Sequence, residues 1–156
     1  METRGAEHVL ERSDAPYLVT LGINDLPHVW SAVEPVLKQA CDDSRGEFSI
    51  PQILHRMGIE TGVADWFLLA IIRGEAVQAV MVACVTVRLS GERVLDCLLA
   101  SGEDAKQWPL VDPQFDEIAR ALGCTSVRIP FARKGWLKTL PHWRLVATGY
   151  VLEREI

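Results

Sequence analysis

Apolar residues recur along this chain with two periods, one helical and one strand-like, and the switch between them lays out its elements. The run Tyr17–Ile23 predicts a first strand, after which Asn24 or Asp25 can cap a helix by accepting from its free amide groups. Leu26, Val29, Trp30, Val33, Leu37, Ala40 and Cys41 then fall at steps of three and four, one apolar face of a long helix. Pro35 removes a backbone donor inside it and predicts a kink. Ser49-Ile-Pro-Gln52 has the form of a capping box with Pro51 in the first turn, and Ile50, Ile53, Leu54 and Met57 make the face of a short second helix that Gly58 could stop.

From Trp66 the period changes. Trp66–Ile72, Ala76–Leu89 and Arg93–Ala100 are strand-like runs separated by Gly74-Glu75 and Ser90-Gly91-Glu92, the turn chemistry of antiparallel hairpins. Helical spacing returns in Pro113–Leu122, with Phe115, Ile118, Ala119 and Leu122 on one face, Asp112 as cap, Pro113 at the first position and Gly123 as stop. Cys124–Phe131 predicts a further strand, broken or placed at an edge by Pro130. Arg133–Leu140 reads as a short helix or turn and Arg144–Glu153 as a last strand, with a bend at Gly149. Residues 1–16, polar and aperiodic through Asp14, read as an arm ahead of one domain spanning 17–156.

Composition narrows the function more than the fold. A chain of 156 residues, 49% hydrophobic and 24% charged, is an ordinary globular domain able to bury roughly 70% of its unfolded surface. Its net charge of -5 argues against a general grip on nucleic acid, which needs a cationic face to displace counterions. The longest apolar stretch, Ala76–Val87, is interrupted by Gln78 and Thr86 and flanked by charge, so no membrane span is expected. Met1–His8 lacks the apolar core of a secretory signal, which makes the cytoplasm the expected compartment. Cys41, Cys84, Cys97 and Cys124 have no close pairs and suit a reduced core better than zinc or disulfides. His8, His28 and His55 share no ligand motif with them, so no metal site is expected.

Candidate chemistry gathers at two places. Arg93–Gly123 runs from strand to loop to helix, the junction at which α/β proteins often place a ligand, with Ser101 and Gly102 at the turn. Arg128, Arg133, Lys134, Lys138 and Arg144 form a basic tract interleaved with Trp136 and Trp143. That tract suits contact with an acidic protein surface or a phosphate, or it is a solvated edge whose tryptophans pack inward. His142 is a candidate proton carrier or a surface turn residue, and Trp30, Trp66 and Trp108 are core or interface anchors.

The order strand, two helices, three antiparallel strands, helix, strand, short helix, strand resembles the GNAT superfamily of acyltransferases over Tyr17–Ile156. The tail Lys134–Pro141 followed by Gly149-Tyr150-Val-Leu-Glu153 is similar to the ending of that family, in particular of small GNAT-like proteins encoded by bacteriophages. The resemblance implies an α/β (α+β) single domain with a central mixed, mostly antiparallel sheet flanked by helices. It also implies a Gly-rich loop of the form Arg/Gln-x-x-Gly-x-Gly/Ala after the fourth strand, where backbone amides hold the pyrophosphate of coenzyme A. Here Leu98–Ala105 matches that loop only at Gly102, and Glu103 and Asp104 stand at the helix end that phosphate would need. Those carboxylates complement the helix dipole themselves, by about 0.3–1 kcal/mol each, and repel a pyrophosphate. Pro109 and Pro113 are expected to interrupt the helix that follows.

Asp96 stands on the strand where family members often carry an acidic general base. It is either that base or a strand-surface charge opposite Arg88. Tyr150 is not at the place of the family's general-acid tyrosine, where this chain has Lys134, Trp136 and Lys138.

Two function classes follow from the resemblance. The first is a GNAT-fold protein with a degenerate acyl-CoA loop and no cofactor, acting through a protein partner or a homo-oligomer. Its contacts would come from Arg133, Lys134, Trp136, Lys138 and Trp143, in the cytoplasm or in a phage virion. The second is an N-acyltransferase in which acetyl-CoA lies between Arg93–Ala100 and Cys124–Phe131, with Ser101 and Gly102 at the cofactor and Asp96 activating an amine. Nucleic-acid binding through the basic tract is the third class, disfavoured by charge.

Overall fold

The computed structural model describes residues 15–59, 66–102 and 108–130. Within them the chain forms β1 (Tyr17–Leu21), α1 (Leu26–Asp43), α2 (Ile50–Ile59), β2 (Trp66–Arg73), β3 (Ala76–Val87), β4 (Arg93–Gly102), α3 (Trp108–Ala121) and β5 (Ser126–Arg128). The strands make one five-stranded sheet in sequence order, antiparallel from β1 to β4 and parallel between β4 and β5. It is the expected mixed, mostly antiparallel sheet flanked by helices. A parallel neighbour cannot be reached by a tight turn, and α3 supplies the crossover.

Both faces of the central strands are covered, which is why β2 and β3 read as continuous apolar runs rather than alternating ones. On one face Leu69, Ile71, Met81, Ala83, Leu95 and Cys97 pack with Trp108, Val111, Phe115 and Ala119 of α3. On the other, Leu68, Ala70, Val80 and Val82 meet Val33 and Leu37 of α1 and Ile53 and Met57 of α2. Burying the Leu, Ile, Val, Met and Phe side chains among these stabilises the fold by about 1.5–3 kcal/mol each. Among the described residues no helix is long and apolar enough to cross a membrane.

α1 is the expected long helix and includes Pro35, and the carbonyl the proline leaves without a helical donor, that of Ser31, lies on the exposed face where water can take it. Some expectations at helix ends are corrected. Asp25 is the N-cap of α1 but makes no side-chain cap bond. Its carboxylate instead accepts from the Gly22 N–H at 2.7 Å. The capping serine of α2 is in place, Ser49 Oγ accepting from the Gln52 N–H at 3.3 Å, whereas Gly58 lies inside α2 and does not stop it.

α3 differs most from expectation. It starts at Trp108 and not at Pro113, and neither proline breaks it. Pro109 occupies the first turn, where no amide is needed, and the carbonyl orphaned by Pro113 is that of Pro109, on the solvent side. The stop at Gly123 is as expected: its φ is +73°, its N–H donates to Arg120 O at 3.0 Å, and the Cys124 N–H donates to Ala119 O at 2.8 Å. Arg93 at the start of β4 donates from Nε to Leu122 O at 3.1 Å, placing a cation at the negative end of α3. The Thr125 N–H then bonds Arg93 O at 2.9 Å and sets β5 beside β4.

Among the described residues the outer side of β1 is met by side chains and by no strand. The outward Leu18 N–H donates to Gln114 Oε1 of α3 at 2.7 Å, and the Gly22 bond to Asp25 closes the far end. Side-chain acceptors at both ends make this edge a poor template for another strand.

Candidate functional site

Strand register brings one polar row together across the sheet. Trp66 on β2 stands beside Cys84 on β3, Cys84 beside Asp96 on β4, and Asp96 beside Arg128 on β5. Trp66 and Cys84 belong to the core between the sheet and α1 and α2, so Asp96 points to that face. It is only 3% exposed and is the one buried charged or polar residue among those described.

Its carboxylate is closely engaged. Oδ1 accepts from Arg128 Nε at 2.6 Å, and Oδ2 accepts from Arg128 Nη2 at 2.7 Å and from Thr86 Oγ1 at 2.6 Å. This is a bidentate, charge-assisted pair with a third bond that fixes the carboxylate plane. The hydrogen bonds that Arg128 donates to Asp96 hold its pKa above its already high ordinary value. Cys84 Sγ lies 4.0 Å from Thr86 Oγ1, and burial is the main cause pushing its thiol pKa up. Burial pushes the fully enclosed Cys97 thiol further still. The four cysteines are free, buried thiols. At the far end of the row the Arg56 guanidinium sits 4.7 Å from the centre of the Trp66 ring, and Phe48 packs on that ring at 6.0 Å.

Asp96 is therefore not a strand-surface charge facing Arg88. Arg88 lies beyond the end of β3 and bonds Glu92 across the turn at 3.4 Å, in an exposed pair of little energetic weight. The guanidinium that meets Asp96 comes from the opposite side, through the parallel register of β5. A lone Asp in an apolar run signals the need for a partner. Choosing Arg128 over Arg88 required knowing how far the α3 crossover carries the chain.

Among the described residues β4 and β5 pair over Val94–Asp96 and Ser126–Arg128. Past Asp96 no strand among the described residues lies on that side of β4, and Leu98–Ser101 are half-buried. A bulge falls at the same point, since Cys97 faces Ala83 and Leu99 faces Val82, leaving Leu98 without a register partner. The Asp96–Arg128 pair thus stands where the pairing of the two parallel strands ends among the described residues.

Ser101 and Gly102 belong to the end of β4 itself, opposite Val80 and Ala79. A Cβ added at Gly102 would lie 2.5 Å from Ala79 Cβ and 2.9 Å from Gln78 O, so the glycine is required by the close approach of β3. Gly102→Ala is expected to cost about 1–3 kcal/mol through overpacking, measured by urea unfolding, whether or not a ligand is present. An unchanged midpoint would show that β3 yields at this point. Glu103 and Asp104, the arm, the basic tract with Arg133, Lys134, Trp136, Lys138 and Trp143, and His142 and Tyr150 lie outside the described residues.

No protein-family model and no curated protein matches the chain. Solved structures do, at the level of fold. A GNAT family acetyltransferase from Staphylococcus aureus superposes with a TM-score of 0.59 at 12% identity, covering 90% of this chain and 99% of that one. A ribosomal-protein-alanine N-acetyltransferase from Brucella melitensis gives 0.58 at 13%, covering 90% and 100%. A protein described as a transcriptional regulator from Bacillus halodurans gives 0.56 at 14%, covering 89% and 98%. The architecture is the GNAT fold. Identity this low carries the fold and not the activity.

Proposed function

We propose that this protein is a GNAT-fold binding protein that does not transfer acyl groups with Asp96 as base. The observation that carries the reading is the state of Asp96. A general base has to reach the proton it removes and return to its free form. Here both carboxylate oxygens are taken by Arg128 and one also by Thr86, with 3% of the residue exposed. Taking a proton from an amine would require breaking a bidentate pair inside the core. The need for Gly102 is met by packing against β3, which removes the main reason to read it as a phosphate-loop glycine.

In its finer form the reading is assembly with a protein partner or with further copies of the chain, in the setting of a phage virion, without a cofactor. Its support is the sequence of the tail, Lys134–Pro141 and Gly149–Glu153, together with the basic residues Arg133, Lys134 and Lys138 beside Trp136 and Trp143.

A second reading has one observation in its favour. The side of β4 past Asp96, unpaired among the described residues and bulged at Leu98, suits an extended thioester arm, and solved acetyltransferases share the fold. Acetyl-CoA would then lie along Cys97–Gly102, and activation of the amine would fall to a group other than Asp96.

Calorimetric titration with acetyl-CoA and with coenzyme A separates the two readings. No saturable heat is expected for either. Micromolar binding of both would favour the acyltransferase.

A further inference from the structure

We propose that the buried Asp96–Arg128 pair is the device that holds β5 in one register on β4. The inference goes beyond the binding reading and does not depend on a ligand.

The apolar pattern of β5 leaves two alignments open. Val127 stands beside Leu95 and packs on the cluster under α3, and Ile129, two residues on, packs against the same cluster. Side chains two apart on a strand share a face, so sliding β5 back until Ile129 stands beside Leu95 keeps an apolar residue under α3. The other slips are closed. A shift of one residue would turn Ser126 or Arg128 into that apolar cluster, and a shift of two the other way would put the exposed Thr125 in the place of Val127.

Charge separates the two alignments that remain. In the observed register Arg128 stands beside Asp96 and bonds both of its carboxylate oxygens. With Ile129 beside Leu95, the residue next to Asp96 would be Pro130, which has neither a charge nor an amide hydrogen to offer. The carboxylate of a residue 3% exposed would then keep the Thr86 hydroxyl and lose its cation. A buried charge deprived of its partner is strongly unfavourable, whereas an intact buried pair adds little over apolar packing. Such a pair does more to exclude the wrong alignment than to stabilise the right one.

The backbone leaves that choice to the side chains. The entry to β5 is held by the Thr125 N–H on Arg93 O at 2.9 Å, a bond that any residue except proline can donate. Lengthening the turn after Gly123 by two residues costs little closure entropy.

The test moves the cation by two residues in the full chain. Arg128→Thr removes the partner and should lower the urea midpoint. Adding Pro130→Arg should restore most of that loss, because a slid β5 again brings a guanidinium beside Asp96. Nuclear Overhauser contacts between side-chain methyls report the alignment. Leu95 should contact Val127 in the native protein and Ile129 in the Arg128→Thr, Pro130→Arg protein. No recovery of the midpoint on adding Pro130→Arg would overturn the proposal. Recovery with Leu95 still beside Val127 would overturn it equally, since the pair would then stabilise β5 without choosing its register.

Discussion

Arg128→Leu is expected to lower folding stability by about 3–5 kcal/mol, because it strands a carboxylate whose residue is 3% exposed with Thr86 as its only remaining partner. Asp96→Leu should cost clearly less. Arg128 already has a third of its side chain in water and can extend its guanidinium further out when released. Replacing both with Leu should recover most of the larger loss, since exchanging a buried ion pair for apolar packing is often close to neutral. Urea unfolding of the four proteins gives the coupling energy directly. Equal losses in the two single variants, adding in the double, would mean that the pair is not held as described.

Phe115→Ala is expected to cost about 3–5 kcal/mol by opening a cavity under α3. Phe115 is 3% exposed, stacks on Trp108 with ring centres 6.1 Å apart, and packs in the cluster that contains Leu95 and Cys97 of β4. Because α3 is the crossover that sets β5 beside β4, the same substitution should also loosen the Asp96–Arg128 pair. Asp116→Ala, one residue on and exposed, should stay within about 0.5 kcal/mol of the parent. A loss below about 1 kcal/mol for Phe115→Ala would place α3 outside the cooperative core.

The sequence carried the architecture because its signals there are local and repeated. The three strand-like runs from Trp66 to Ala100, the capping serine at Ser49 and the glycine stop at Gly123 each depend on neighbours a few residues away. Errors arose where two local signals competed. Pro109 and Pro113 both look like first-turn prolines, and the helix tolerates the second because the carbonyl it orphans faces water. Asp25 looks like a capping acid, yet its carboxylate turns back to the Gly22 amide at the end of β1.

The site was legible only in part, because its chemistry depends on register. That Asp96 matters could be read from a charge inside an apolar strand. Its partner could not, since Arg128 arrives from 32 residues away after a crossover and a parallel pairing of three residues. Gly102 is the one residue of Leu98–Ala105 that fits the form of a phosphate loop, and the close approach of β3 gives a separate reason for a glycine there.

The most direct test of the central claim is release of coenzyme A from acetyl-CoA over a broad panel of amines, comparing the native protein with Asp96→Asn. Asn has nearly the shape of Asp and lacks the charge, so folding of the variant is checked in the same samples by far-UV circular dichroism. The account predicts no amine-dependent release by either protein. Amine-dependent turnover by the native protein, abolished in a folded Asp96→Asn variant, would contradict it and make Asp96 the base.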